Sequence, residues 1–248
     1  MTLSCLPPVL DERGDLIEVL RRAGYAVVAA PDVVALAGVA SGDLETWRDL
    51  WSDLPADGYL RDAGQYRRRR HSCFMLQGDQ VTQVTHRPHW QPVEYNALHG
   101  GMLRHFEPME PTMLGHPAWH KLLAWLGQVC SQLKGPQTWY AEAHQFRIDT
   151  TGGIGRPTPE GAHRDGVDLV AVFMVERHAV KGGETRVFDA FGPSGQRFTL
   201  TEPWSVLLLD DARVVHESTP IQPLGPDAHR DTLVVTLRSQ GFQGADAH

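Results

Sequence analysis

Trp204-Ser205-Val206-Leu207-Leu208-Leu209-Asp210-Asp211-Ala212-Arg213-Val214-Val215-His216-Glu217 reads as two short strands joined by a turn. Ser205 to Leu209 is almost wholly apolar, Asp210-Asp211 breaks the run, and Arg213 to Glu217 is β-branched again. The same texture extends in both directions from this pair. Trp139–Asp149, Val167–Val175, Glu184–Phe188, Gln196–Leu200 and Thr232–Leu237 are short, rich in Val, Phe and Leu, and separated by turn residues. Strands at this spacing predict an all-β sandwich or barrel over the second half of the chain.

The first half carries helical patterns instead. Leu16 to Arg22 places Leu16, Val19 and Leu20 on one face and stops at Gly24. Tyr25 to Ala30 reads as a strand, and Asp32 to Leu50 as a second helix. The clearest helix runs from Ala118 to Leu133, where Trp119, Leu122, Leu123, Leu126, Val129, Cys130 and Leu133 follow an i, i+3, i+4, i+7 stripe. Pro117 opens it and Gly135-Pro136 closes it. Residues 52–115 are rich in turns, with strand-like pieces such as Ser72 to Leu76. The predicted class is α+β, mainly β: a double-stranded β-helix (a jelly roll, cupin-like) with helices packed on it from the N-terminal half. No linker divides the chain, so 1–248 is expected to form a single domain, with 1–135 as helical and irregular support and 136–240 as the jelly-roll core.

Composition narrows the function. The chain has 248 residues, 23 Lys+Arg against 30 Asp+Glu, and a net charge of -7. That balance argues against coating a nucleic acid or a membrane surface, since both need positive charge facing phosphate. Cys5, Cys73 and Cys130 are odd in number and widely spaced, which argues for a reducing compartment. MTLSCLPPVLDERGD lacks a basic segment ahead of its apolar residues, so a cytoplasmic location is expected. The expected partner is a small molecule, and the oligomeric state is left open.

The chemistry centres on His163-Arg164-Asp165. Side chains at i and i+2 of an extended segment point to one side, so His163 and Asp165 can reach one ion. His216, 53 residues downstream at the end of a strand, supplies a third ligand. Two imidazoles and one carboxylate on one face leave adjacent positions open, the arrangement of non-haem Fe(II) oxygenases. A second His-x-Asp, His229-Arg230-Asp231, has no later histidine except His248. Arg230, on the last strand, can clamp the far carboxylate of a dicarboxylic acid bidentately; Arg238 shares its parity and is the alternative. Tyr66 and Arg68, in the run Tyr66–Arg70, are either carboxylate binders or part of a solvated charge run. Gln145 or Arg147 is expected on the cavity side of its strand. His71, His86, His89, His99, His105, His116 and His120 show no zinc-ligand spacing and read as surface or hydrogen-bonded core histidines.

The run Pro157-Thr158-Pro159-Glu160-Gly161-Ala162-His163-Arg164-Asp165-Gly166-Val167-Asp168 resembles the bacterial 2-oxoglutarate/Fe(II) dioxygenases that hydroxylate free aliphatic amino acids, the isoleucine dioxygenase group. Gly182-Gly183-Glu184-Thr185, Val215–Ile221, Arg230–Val235, Gln145-Phe146-Arg147 and Tyr66–Arg70 fit the same family in order, over about residues 55 to 238. The family also includes a bacterial group associated with biofilm formation, stress and motility. The resemblance implies Fe(II) at His163, Asp165 and His216, with 2-oxoglutarate held by Arg230 and the Thr185 region, and O2 as the oxidant. It further implies hydroxylation or sulfoxidation of a free aliphatic or thioether amino acid, with release of succinate and CO2. Two other readings stand beside it: a non-catalytic jelly-roll metal protein with a stress or biofilm-related sensing role, and a zinc hydrolase using the same ligands.

Overall fold

A computed structural model describes residues 3–4, 15–60 and 66–244; Cys5 lies outside the described residues. Strand β1 (Leu3–Ser4) precedes helix α1 (Leu16–Ala23). The Asp15 carboxylate caps α1 by accepting from the Ile17 N–H at 2.8 Å, and Gly24 ends it at φ 80°. Glycine is required there twice over, because a Cβ would also sit 2.8 Å from Val214. Strand β2 (Tyr25–Val28) follows.

The helix expected over 32–50 is interrupted. It is replaced by α2 (Ala30–Ala37), α3 (Ser41–Glu45) and a 3-10 turn (Arg48–Trp51). Gly38, in the left-handed region, stops α2. Residues 52–115 also hold more order than their turn residues predict. An eleven-residue strand, β3 (Arg67–Gln77), turns at Gly78 into β4 (Gln80–Gln83), and α4 (Pro111–Leu114) leads to α5 (Pro117–Lys134). The strand period was obscured because four consecutive arginines leave no apolar alternation to read.

The remaining strands are β5 (Trp139–Asp149), β6 (Leu169–His178), β7 (Val180–Gly182), β8 (Thr185–Asp189), β9 (Gly195–Phe198), β10 (Val206–Asp210), β11 (Val214–Ser218), β12 (Ile221–Pro223) and β13 (His229–Arg238); all but the three-residue β7 and β12, which the sequence does not signal, fall close to expectation. They form a seven-stranded sheet in the order β2-β10-β6-β13-β5-β3-β4 and a four-stranded sheet in the order β1-β9-β8-β11, with β7 and β12 paired separately. Apart from the parallel β1–β9 contact, the pairings are antiparallel. This is a mainly β, jelly-roll architecture. The large sheet draws β2, β3 and β4 from the first half, so that half is more than support.

Each face of the large sheet has its own core. Ala141, Ala143, Phe173, Leu208, Leu233 and Val235 pack against α5 and its neighbours. Trp119, Leu122, Leu123 and Leu126 of α5 are fully buried, each worth roughly 1.5–3 kcal/mol. Val170, Met174, Leu207 and Leu209 face the other way and meet Val187, Phe198 and Val214 of the small sheet. Toward β3, β5 and β13 this inter-sheet space opens into a cavity lined by polar as well as apolar side chains. No helix among the described residues is long and apolar enough to cross a membrane.

Candidate active site

His163 lies in the segment between β5 and β6, and His216 in β11. Their backbones pair, with His163 N–H donating to His216 O at 3.0 Å and His216 N–H to His163 O at 2.9 Å. Two main-chain bonds therefore hold a loop histidine in register with a strand histidine. Asp165 is fixed differently. The Asp211 carboxylate accepts from the backbone N–H groups of Asp165 (3.0 Å), Gly166 (2.8 Å) and Val167 (3.1 Å). Gly166 adopts φ 73°, and a Cβ there would come within 2.3 Å of the Tyr95 ring. The turn that aims Asp165 thus depends on glycine and on an acid from another loop.

The three side chains converge. His163 Nε2 lies 3.8 Å from Asp165 Oδ1, and His216 Nε2 lies 3.8 Å from Asp165 Oδ2. One ligand atom from each falls within 4.8 Å of the others. His163 Nδ1 donates to Gly161 O at 2.9 Å, which leaves its Nε2 lone pair facing the centre. Gln91 Nε2 donates to Asp165 Oδ1 at 3.1 Å. Burial works to lower the His163 pKa, but Asp165 and Glu160 outweigh it and raise the value. Burial, with His163 adding to it, depresses His216 to about 4, so that imidazole is neutral at physiological pH. Burial, then Asp165, pushes Asp211 up to about 6 against its three N–H donors. The donor set fits a divalent iron ion on one open face.

Arg230 lines the same cavity. It is buried, and its Nε has no hydrogen-bond partner among the described residues. Burial, followed by repulsion from Arg177, lowers it to about 10, so it remains charged at neutral pH. Gly183 makes room for both: a Cβ there would lie 2.9 Å from Arg177 Nη1 and 3.6 Å from Arg230 Cδ. A buried, charged guanidinium with a free donor fits a carboxylate. Arg238 also lines the cavity, but its Nη1 donates to Gln240 O and Gly241 O. Thr185 is buried in β8, opposite Ser218, outside the cavity lining.

The other sequence-derived candidates lie elsewhere. On β5 the even positions Glu142, His144, Phe146 and Ile148 line the cavity. Gln145 has the opposite parity and is fully buried on the helix side, with neither amide atom hydrogen-bonded among the described residues. Arg147 grips Asp231 through Nε at 2.8 Å and Nη2 at 2.6 Å. That bond occupies Asp231, although His229, Asp231 and Glu176 also cluster. Tyr66 packs with Ile148 and Ile221. Arg68 is exposed and approaches Asp149 at 3.4 Å, whereas its neighbours Arg67 and Arg69 turn into the cavity. The parity assigned to β5 and to the arginine run was off by one residue, which reverses the face of every side chain.

Several site groups had no signal in the linear sequence: Gln91 and Arg104 in the cavity lining, and Asp211 behind the Asp165 turn, come from irregular segments. Glu142 and His144 had one, since Ala141 and Ala143 are the small apolar partners that mark the helix-facing side. His116 caps α5 by accepting from the Ala118 N–H at 3.2 Å, and His120 reaches Leu114 O at 3.1 Å.

The family model for 2OG-Fe dioxygenases matches residues 48–236, which include His163, Asp165, His216 and Arg230. The chain belongs to the 2OG-Fe dioxygenase family. It is similar to a crystal structure of a bsmA homolog from Methylobium petroleophilum PM1, with 54% identity over 92% of this chain and 93% of that one, at a TM-score of 0.88. IDO from Bacillus thuringiensis shares the fold at 18% identity and a TM-score of 0.73, covering 90% of this chain and 97% of that one. The Fe(II)/(alpha)ketoglutarate-dependent dioxygenase TqaL does so at 20% identity and 0.70, covering 93% and 87%. No curated protein sequence matches significantly. As a 2OG-Fe dioxygenase the protein is an oxidoreductase that uses Fe(II), 2-oxoglutarate and O2.

Proposed function

We propose that this dioxygenase hydroxylates, or sulfoxidises, a free small amino acid with an aliphatic or thioether side chain. His163, Asp165 and His216 hold the iron, and Arg230 binds the far carboxylate of 2-oxoglutarate. When bound, iron supplies the means to oxidise an unactivated C–H bond: substrate, 2-oxoglutarate and O2 give hydroxylated substrate, succinate and CO2. The protein's part is to bind, orient and exclude water. Val170, Val172 and Val234 form an apolar wall that can receive a side chain, while buried charged groups elsewhere in the cavity can fix its other end.

The observation that carries this reading is the presence, in one cavity, of the triad and a buried arginine with an unused donor. The test is anaerobic loading with Fe(II) and 2-oxoglutarate, then exposure to air with Ile, Leu, Val, Met and Thr. Succinate formation with a gain of one oxygen in at least one amino acid is expected. If none gains oxygen while a different small molecule does, the chemistry stands and the amino-acid assignment falls.

A further inference from the structure

Beyond the triad, the cavity wall holds a second cluster. His71, His89, Glu142 and His144 are all buried, with ligand atoms within 4.8 Å of one another, and three of them line the cavity. Three imidazoles and a carboxylate look like a metal nest, but the hydrogen bonds argue otherwise. Arg69 Nη2 lies 2.8 Å from His144 Nδ1, and an arginine can only donate. His144 Nδ1 therefore carries the lone pair, and its Nε2 carries the proton. That nitrogen cannot bind a metal without forming an imidazolate.

His71 Nε2 and His89 Nδ1 approach the same oxygen, Glu142 Oε2, at 3.0 and 2.6 Å. With Glu142 ionised that oxygen can only accept, so both imidazoles present N–H to it. Cys73 Sγ sits 3.3 Å from His71 Nε2 on the same side. Burial works against the charge on Glu142, yet the contacts with His89 and His71 hold its pKa well below the usual carboxylate range. Burial also lowers both imidazoles, His89 to about 4. Neutral donors orient the carboxylate without cancelling its charge. Both bonds fall on Oε2, which leaves Oε1 to accept from the cavity.

A complementary group lies on the same wall. Arg67, Arg69 and Arg104 are buried and line the cavity. Asp57 pairs with Arg67 at 2.7 Å and lies 3.9 Å from Arg69, while Arg104 has the neutral Gln91 at 2.9 Å. Arg67 Nη2, Arg69 Nε and Arg104 Nε have no acceptor among the described residues. The ring faces of Phe106 and Phe146 hold the Arg69 guanidinium at 3.8 and 4.5 Å, which fixes its plane. Asp57, Glu142 and Glu160 share the charge of these three arginines, with Glu142 acting on both Arg69 and Arg104, yet the three N–H groups without an acceptor remain to take a carboxylate from the cavity.

We infer that this wall is a two-sign receptor, in which Glu142, oriented by His71 and His89, binds the substrate's ammonium group and the Arg67–Arg69–Arg104 group binds its carboxylate. The assignment rests on the amino-acid reading above and names the residues that select a free zwitterion. An N-acylated amino acid loses the cation that Glu142 needs. A residue within a peptide offers neither charge.

The test is calorimetry under anaerobic conditions on protein loaded with Fe(II) and 2-oxoglutarate. The ligands are the amino acid bound best by the wild type, its des-amino carboxylic acid and its N-acetyl derivative. Glu142→Gln should weaken the amino acid about 30-fold or more, as expected for truncating one member of a buried charge pair. It should leave the des-amino acid within about threefold. Arg104→Gln should weaken both, which covers the case in which Glu142→Gln folds poorly. If Glu142→Gln weakens both ligands equally, or neither, the receptor role is wrong. A second equivalent of metal bound by wild type and lost in Glu142→Gln would replace it with a metal site. If the wild type binds no amino acid, the reading beneath falls with it, whereas hydroxylation retained with no loss in Glu142→Gln overturns only the receptor.

Discussion

Asp211→Ala tests whether a residue that touches no metal sets metal affinity. The Asp211 carboxylate accepts three backbone N–H bonds, at 2.8 to 3.1 Å, from the turn that carries Asp165. A hydrogen bond to an ionised acceptor is worth about 1.5–3 kcal/mol net, and water recovers part of that because residues 165–167 are only half-buried. About 1 kcal/mol per bond, or about 3 kcal/mol in all, is then lost when the acceptor goes. Only the part needed to hold Asp165 in its binding pose appears in metal affinity. Groups in this position usually account for about 10–100-fold. The expected outcome is a Kd for Fe(II), or for Co(II) as a redox-stable substitute, raised about 10–100-fold. Asp211→Asn keeps one oxygen and should lie between wild type and Asp211→Ala. Anaerobic calorimetry gives the constants, and hydrogen exchange at 165–167 reports the turn. Affinity in Asp211→Ala within threefold of wild type, with the turn still protected, would refute the reasoning.

Asp231→Ala should destabilise by roughly 3–5 kcal/mol, because it strands the Arg147 guanidinium that now makes two bonds to a fully buried carboxylate; a loss under about 1 kcal/mol in urea unfolding would contradict that. Gln145→Leu should stabilise by about 1 kcal/mol or more, since a buried amide with both ends unbonded is replaced by an apolar group. The Michaelis constants should not move, and a large rise would return Gln145 to the substrate site. Burial works to raise the Asp57 pKa, but Arg67 and Arg69 bring it below its ordinary 3.8. A depressed folded value stabilises the protein above pH 3.8 and is lost as pH falls through that folded value. Asp57→Asn should therefore lower Tm at pH 7 and flatten its decline below pH 4; an unchanged acid limb would remove Asp57 as its source.

How much of this was legible depends on the range over which each feature is determined. Strands β5, β6, β8 to β11 and β13 announced themselves because apolar runs and turn residues alternate locally, whereas the three-residue β7 and β12 are too short to show an alternation. The stripe from Trp119 to Leu133 identified α5 for the same reason. The grouping of His163, Asp165 and His216 was legible because two of the three obey a local rule, the shared face of His163 and Asp165, and a strand histidine joins them. Strand β3 was legible only over Ser72 to Leu76, because Arg67–Arg70 shows charge at every position and its alternation becomes visible only once β5 is paired beside it. The first break in the helix over 32–50 hung on one residue, Gly38, whose left-handed conformation is compatible with either a kink or an end.

The cavity wall makes the sharper case. Its charged members come from β3, β5 and the irregular segment between β4 and α4, and no short window contains an acid, its two imidazole donors and the facing arginines. Parity was the one local clue. In Ala141-Glu142-Ala143-His144-Gln145-Phe146 the alanines pack beneath α5, so the polar residues between them must face the opposite side. Gln145 interrupts that pattern by placing an unbonded amide on the helix side, and it is the residue that misdirects the reading. A polar side chain in a strand therefore says less about which face holds the site than the small residues flanking it, because a helix can pack closely only where side chains are short, and the cavity must then take the other face.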